Sequence, residues 1–189
     1  NVPEPNGPIL FVSSNSVWGG SEELWSRTAL FLAQAGYEVG VFKPDFDDTD
    51  KPIRQLREAG ASVVDLWGPR IVPRRLRMLV SMVGKLSRGM MEWQLGRTIR
   101  RNSPRLVVIS QGINFDGWPL AAICSRRGIR YIMISQKASD LYWPSDAHLG
   151  RAAAAHRNAC ATLFVSQHNL TLTQEQIGEL LPRGRVVRN

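Results

Sequence analysis

Short apolar runs alternate along this chain with longer segments whose apolar positions recur every three or four residues. The first run, ILFVSS at 9–14, is bounded by Pro8 and by polar residues, which predicts a buried strand. Residues 20–35 follow with Leu24, Thr28, Phe31 and Ala35 at helical spacing. Gly36 is then placed to close that helix in a left-handed conformation. The same logic predicts strands at 37–42, 61–66, 105–110, 131–135 and 161–165, with another beginning over 185–188. It predicts helices at 51–59, 74–101, 117–127, 147–158 and 167–177, the second of them broken near Gly84 or Gly89. Gly60 and Gly128 sit where two of these helices should stop.

Strands that alternate with helices of this length predict an α/β fold. The sheet should be doubly wound and mostly parallel, with helices on both faces. The strands support this, because they are apolar at nearly every position instead of every second one. The 189 residues suit one domain, 1–189, and show no internal repeat or low-complexity tract. Ligands are expected outside the carboxyl ends of the strands.

Composition sets exclusions. With 43% hydrophobic and 21% charged residues the chain can bury a core, so it does not read as disordered. No apolar run is long enough to span a bilayer, and the first residues lack the apolar core of a signal peptide. Cys124 and Cys160 stand alone and the three histidines are scattered, so neither a disulfide frame nor a metal site is expected. That usage fits a reduced, cytoplasmic setting.

The net charge of +8 is local: residues 69–105 carry ten basic side chains against one acid, Glu92, and everything else nearly cancels. Leu76, Leu79, Val80, Val83, Leu86, Met90 and Trp93 keep helical spacing through that segment, so a packed helix with a solvated charged face is one reading. The other is contact with an anionic membrane surface, for which Arg74, Arg75, Arg77, Lys85 and Arg88 are the candidates. Nucleic acid is the unfavoured polyanion, since no helix-turn-helix, RNP or zinc motif accompanies the charge.

The loop after the first strand is SNSVWGGSEE. Adjacent glycines before a helix let backbone approach a ligand, and the first-turn N–H groups favour an anion. A tight strand-to-helix turn, with Glu22 and Glu23 against the helix dipole, is the plainer alternative. The spacing is neither the G-x-G-x-x-G of dinucleotide enzymes nor a P-loop.

An apolar first strand, Gly-Gly-x-Glu at 19–22, a long helix and LAQAGYEVGVF together resemble the amino-terminal half of family 4 (group 1) glycosyltransferases with the GT-B fold. The tail, CATLFVSQHNLTLTQEQIGELLPRGRVVRN, resembles the segment that closes such domains. The resemblance implies the acceptor-side half of a hexosyltransferase-type enzyme. Such an enzyme moves a sugar, with retention, from a nucleotide-sugar to a glycan, lipid-linked or small-molecule acceptor. It implies Rossmann-like architecture, no cofactor in this half, and work in polysaccharide or cell-envelope synthesis at the inner face of the membrane. The family's acidic pair separated by seven residues belongs to the other half and is not in this chain.

By the same resemblance, Gly19, Gly20, Ser21 and Glu22 face the donor's phosphate and sugar. The loops after strands four and five supply acceptor candidates: Gln111, Asn114 and Asp116, then Gln136, Lys137 and Asp140. Amides, carboxylates and the nearby Tyr142 and Trp143 suit a sugar. Many family members carry a histidine where Gln136 stands, and a neutral amide cannot serve as acid or base, so the catalytic residue is left unassigned. The transferase reading expects a second domain of ~180 residues after Asn189, and no transfer by this half alone, since half a cleft cannot orient two reactants. The alternative reading, a stand-alone flavodoxin-like binding or regulatory domain, expects none.

Overall fold

The computed structural model describes residues 7–16, 18–66 and 84–187. Among the described residues, seven strands and six helices follow one another as β1 (Ile9–Ser13), α1 (Gly20–Gln34), β2 (Val39–Lys43), α2 (Lys51–Glu58), β3 (Ser62–Asp65), α3 (Gly84–Asn102), β4 (Leu106–Gln111), α4 (Trp118–Arg126), β5 (Tyr131–Ser135), α5 (Asp146–Asn158), β6 (Ala161–Phe164), α6 (Gln167–Ile177) and β7 (Gly184–Val186). The strands form one sheet in the order β3-β2-β1-β4-β5-β6-β7. Every pairing is parallel, so the expected doubly wound α/β architecture is what the chain adopts.

The core explains the apolar strands. In β1, Leu10 and Val12 point to one face and join Leu95, Ile99, Ile109 and Met133. Ile9 and Phe11 point to the other and join Trp25, Ala29, Val41 and Leu56. Both faces are covered, so β1, β2, β4 and β5 are apolar except at their carboxyl ends, where Ser13, Lys43, Ser110, Gln111 and Ser135 are buried. Each buried apolar side chain contributes roughly 1.5–3 kcal/mol. A third cluster, Phe115, Ala152, Ala153, Phe164, Ile177 and Leu181, seals the β6 side.

Three boundaries move. Strand β2 begins at Val39, because Gly36 takes φ +88° and the Tyr37 N–H turns back to the Leu32 carbonyl at 3.0 Å. Strand β4 extends through Gln111, which therefore belongs to the sheet and not to the loop. Helix α3 runs unbroken through Gly89. Arg74, Arg75 and Arg77 lie outside the described residues. Lys85 and Arg88 fall on α3, but their side chains are outside what is described. Among the described residues, no helix is long and apolar enough to cross a membrane.

His156 sits inside the third cluster, edge-on to Phe115 at 6.0 Å and stacked on Phe164 at 6.3 Å. It is buried, and neither ring nitrogen has a hydrogen-bond partner among the described residues. Burial pushes its pKa from 6.5 down to about 4. The unfolded chain therefore takes up this proton first as pH falls. His156 should make stability drop by about 3 kcal/mol between pH 6.5 and 4, with no further loss below. Denaturant unfolding across that window, compared between the parent and His156→Phe, checks it: the parent should be the steeper, and equal slopes would contradict a buried neutral ring.

Candidate functional site

The sheet reverses its winding between β1 and β4: β1 pairs with β2 on one side and with β4 on the other. A crevice opens at the carboxyl ends of strands placed this way. The loops after β1 and β4 are stitched together there. The Ser14 hydroxyl donates to the Ser110 carbonyl (3.3 Å) and accepts from the Gly112 N–H (3.0 Å).

Helix α1 starts at this crevice. Gly19 is its N-cap, in an extended conformation (φ −159°, ψ −172°), and no side chain caps the helix end. A Cβ added at Gly19 or at Gly20 would meet nothing within 4 Å. Neither glycine has a positive φ. So, among the described residues, neither backbone conformation nor packing requires these two residues to be glycine.

Glu22, in the first turn of α1, points inward. Its carboxylate accepts from the Ser13 hydroxyl (3.1 Å) and from the Trp25 indole N–H (2.9 Å). The Lys43 ammonium, from the end of β2, lies 3.5 Å away, and both side chains are 1% exposed. Burial pushes the Glu22 carboxyl above its ordinary range against the pull of Lys43. The same burial pulls Lys43 below its own against the pull of Glu22. Lys43 also donates to the Asn15 carbonyl, and the Asn15 amide donates to the Ser21 hydroxyl at 3.2 Å. The ion pair thus braces the loop from beneath. Glu23 instead pairs on the surface with Arg27 at 3.0 Å.

The loops after β4 and β5 share a buried amide hub. The Asn114 amide donates to the Thr173 hydroxyl (2.9 Å) and to the Gln176 carbonyl oxygen (3.2 Å), and its own oxygen accepts from Ser135 (2.7 Å). Gln176 in turn donates to the carbonyls of Ser139 (2.9 Å) and Tyr142 (3.3 Å). Beside the hub, Phe115 is held at φ +73°, a conformation that costs a bulky residue about 1–3 kcal/mol and that clusters at functional sites. Asp116 accepts from the Ile113 N–H at 3.0 Å, closing the turn. Gln111 is buried; its oxygen accepts from the Gly117 N–H at 3.1 Å, while its amide nitrogen has no partner among the described residues.

Gln136 joins the two halves of the site. Its side-chain amide donates to the Ser21 carbonyl at 2.9 Å, and its backbone carbonyl accepts from the Asn169 amide at 3.2 Å. Gly19–Glu22 and Gln136 are therefore in one place. Lys137 and Asp140 are exposed, as are Leu141, Tyr142 and Trp143. His148 packs its ring 5.5 Å from Trp118, and its Nδ1 lies 2.9 Å from the Ser145 hydroxyl. No group of three metal-ligating side chains occurs among the described residues.

Lys43, Asn15, Asn169, Thr173 and Gln176 escape a sequence reading of the site. One signal exists: positions 169, 172, 173, 176 and 177 form the buried stripe of α6, yet three of the five are polar. A helix turns such a stripe inward only when partners wait for it.

No protein-family model matches the chain, and no curated protein sequence matches it. Solved structures do. Anabaena HepE in complex with UDP-glucose superposes with a TM-score of 0.64 at 15% identity, over 97% of this chain and 44% of that one. A glycosyltransferase from Rickettsia africae gives 0.64 at 9% identity, over 97% and 43%. The calicheamicin glycosyltransferase CalG4 gives 0.56 at 12%, over 96% and 52%. The chain spans about half the length of these proteins or less, and its fold is that of one Rossmann-like domain of GT-B glycosyltransferases.

Proposed function

We propose that this chain is the acceptor-side half of a two-domain glycosyltransferase, in which the crevice between β1 and β4 receives the sugar and diphosphate of a nucleotide-sugar held by the other half. The observation that carries the reading is the bare backbone at Gly19–Gly20, where no packing contact among the described residues calls for glycine. The start of α1 presents N–H groups and the positive end of a helix dipole, which suit the charge that grows on a leaving nucleoside diphosphate. HepE, similar in fold, has been captured with UDP-glucose, which supports a uridine nucleotide-sugar as the donor to try first.

In this reading Gly19 and Gly20 contact donor phosphate or sugar through backbone. Ser21 adds a hydroxyl, and Glu22 holds the turn from below without touching the ligand. Gln136 is a positioning residue that fixes the helix start against the β5 loop. Gln111, whose buried amide nitrogen has no partner among the described residues, lies with Asp116, Lys137 and Asp140 on the acceptor side, and Asn114 keeps both loops in register. The transfer proceeds with retention to a glycan, lipid-linked or small-molecule acceptor, and the basic segment rests on an anionic membrane surface. Tyr142 and Trp143 offer exposed rings on which a sugar can stack.

A thermal-shift panel of nucleotide-sugars on the two-domain protein tests this. One donor should stabilise it by about 2.7 kcal/mol at a hundredfold excess over Kd. Absence of a shift with every donor, in a protein that unfolds cooperatively, would overturn the transferase reading.

A further inference from the structure

A second recess lies at the opposite end of the sheet, away from the crevice. It is formed where α5 ends, β6 begins and the 180–184 turn leads into β7, and it holds about 180 Å³. That is roughly six times a water molecule's share of the liquid. Its walls are chemically divided. Leu180 and Leu181 give an apolar side, Arg157 and Arg183 give guanidinium groups, and His156 and Thr162 line it with polar groups.

Those last two are unusual. His156 is 2% exposed and Thr162 is 1% exposed. Neither imidazole nitrogen and not the Thr162 hydroxyl has a hydrogen-bond partner among the described residues. A native fold rarely leaves buried polar atoms unpaired, and a group of them beside a cavity points to something that pairs them. A neutral imidazole offers one donor and one acceptor, and a hydroxyl offers both. The arginines are exposed. Arg157 pairs with Glu179 at 3.2 Å, and Arg183 donates to the Ala159 carbonyl at 3.2 Å, which offsets the negative end of α5. Positive charge therefore stands outside and neutral hydrogen-bonding groups stand inside.

We propose that this recess binds a small hydroxy-carboxylate, its carboxylate toward Arg157 and Arg183 and its hydroxyl between His156 and Thr162. An anion alone would leave the inner groups unpaired. A neutral polyol would bring no negative charge to the two guanidinium groups. Water can pair the inner groups but gains nothing from the arginines. The site is separate from the nucleotide-sugar crevice and does not depend on how that crevice is used.

L-lactate is the probe, followed by NMR at the carbon-bound ring protons of His156 and the methyl group of Thr162, on the whole protein. Lactate should move both signals saturably in the tens of millimolar or below. Propionate, which lacks the hydroxyl, should bind at least several-fold more weakly, and propylene glycol, which lacks the carboxylate, should not saturate. Arg183→Gln changes an exposed residue and Thr162→Val is close in shape, so both should fold. Each should weaken lactate about tenfold, the worth of one charge-assisted or buried hydrogen bond. The proposal is overturned if lactate gives no saturable shift, if propylene glycol does as well, or if either variant binds lactate as the parent does.

Discussion

Replacing Glu22 by alanine should destabilise the chain by about 3–5 kcal/mol, because it leaves the Lys43 ammonium buried without its paired carboxylate, with only the weaker pull of Asp45 and Asp50 remaining. The side chain has no way out: Lys43 ends a fully buried strand and is itself 1% exposed. The Ser13 hydroxyl and the Trp25 indole lose their acceptor in the same step. Glu22→Gln should cost less, since an amide oxygen can still accept from Trp25, but it cannot answer the charge. Lys43→Met should also cost less than the alanine change. The Glu22 carboxyl, already pushed up by burial, can then take a proton and stay neutral. The combined Glu22→Gln, Lys43→Met protein should be more stable than the sum of its parts predicts, because neither charge is left alone. Urea unfolding of the parent and these four variants measures all of this. A loss below about 1 kcal/mol for Glu22→Ala would mean that the pair is solvated and not the brace described above.

The distinction between Glu22 as ligand group and Glu22 as brace shows where a sequence stops speaking. At a helix start, an acidic residue that greets solvent and one that turns inward look the same. What decides is Lys43, on another element and distant in the chain, and that pairing exists only once β1, α1 and β2 are packed. The fold was legible for the opposite reason. Its signals are local: strands apolar at nearly every position, helices with period near 3.6, and glycines such as Gly36 at the stops. Even the boundary errors are local effects. Tyr37 looks like strand residue by composition, but the left-handed turn at Gly36 spends its N–H on the preceding helix.

The amide hub lies between these cases. Asn114 is readable as a polar residue in a loop just past a strand end. The identity of its partners was not readable, because Ser135, Thr173 and Gln176 come from three other places in the chain. The polar stripe on α6 was present in the sequence all along. It looked like a weak helix face because amphipathic reading sorts residues into apolar and polar, and has no symbol for polar and buried.

Gly20 offers the sharpest test of the functional proposal, because its two expected effects have opposite signs. It is the first residue of α1, in helical conformation, with open space where a Cβ would be. Gly20→Ala should therefore leave stability unchanged or raise it by up to about 1 kcal/mol, as the unfolded chain loses freedom and the helix gains a better former. If a sugar-phosphate lies against this backbone, the new methyl group stands between them. A displacement of ~1 Å in a reacting group lowers transfer on the order of 100-fold, so kcat/KM in the two-domain enzyme should fall that far while Tm holds or rises. Gly20→Val extends the series: it should fold and transfer less still. The measurement is paired, a melting curve and an initial rate on the same preparation. A stable Gly20→Val protein with undiminished transfer would show that nothing approaches this backbone, and the crevice would need another occupant. A loss of both stability and transfer would show that the space above Gly20 is closed by the rest of the fold and was never available to a ligand.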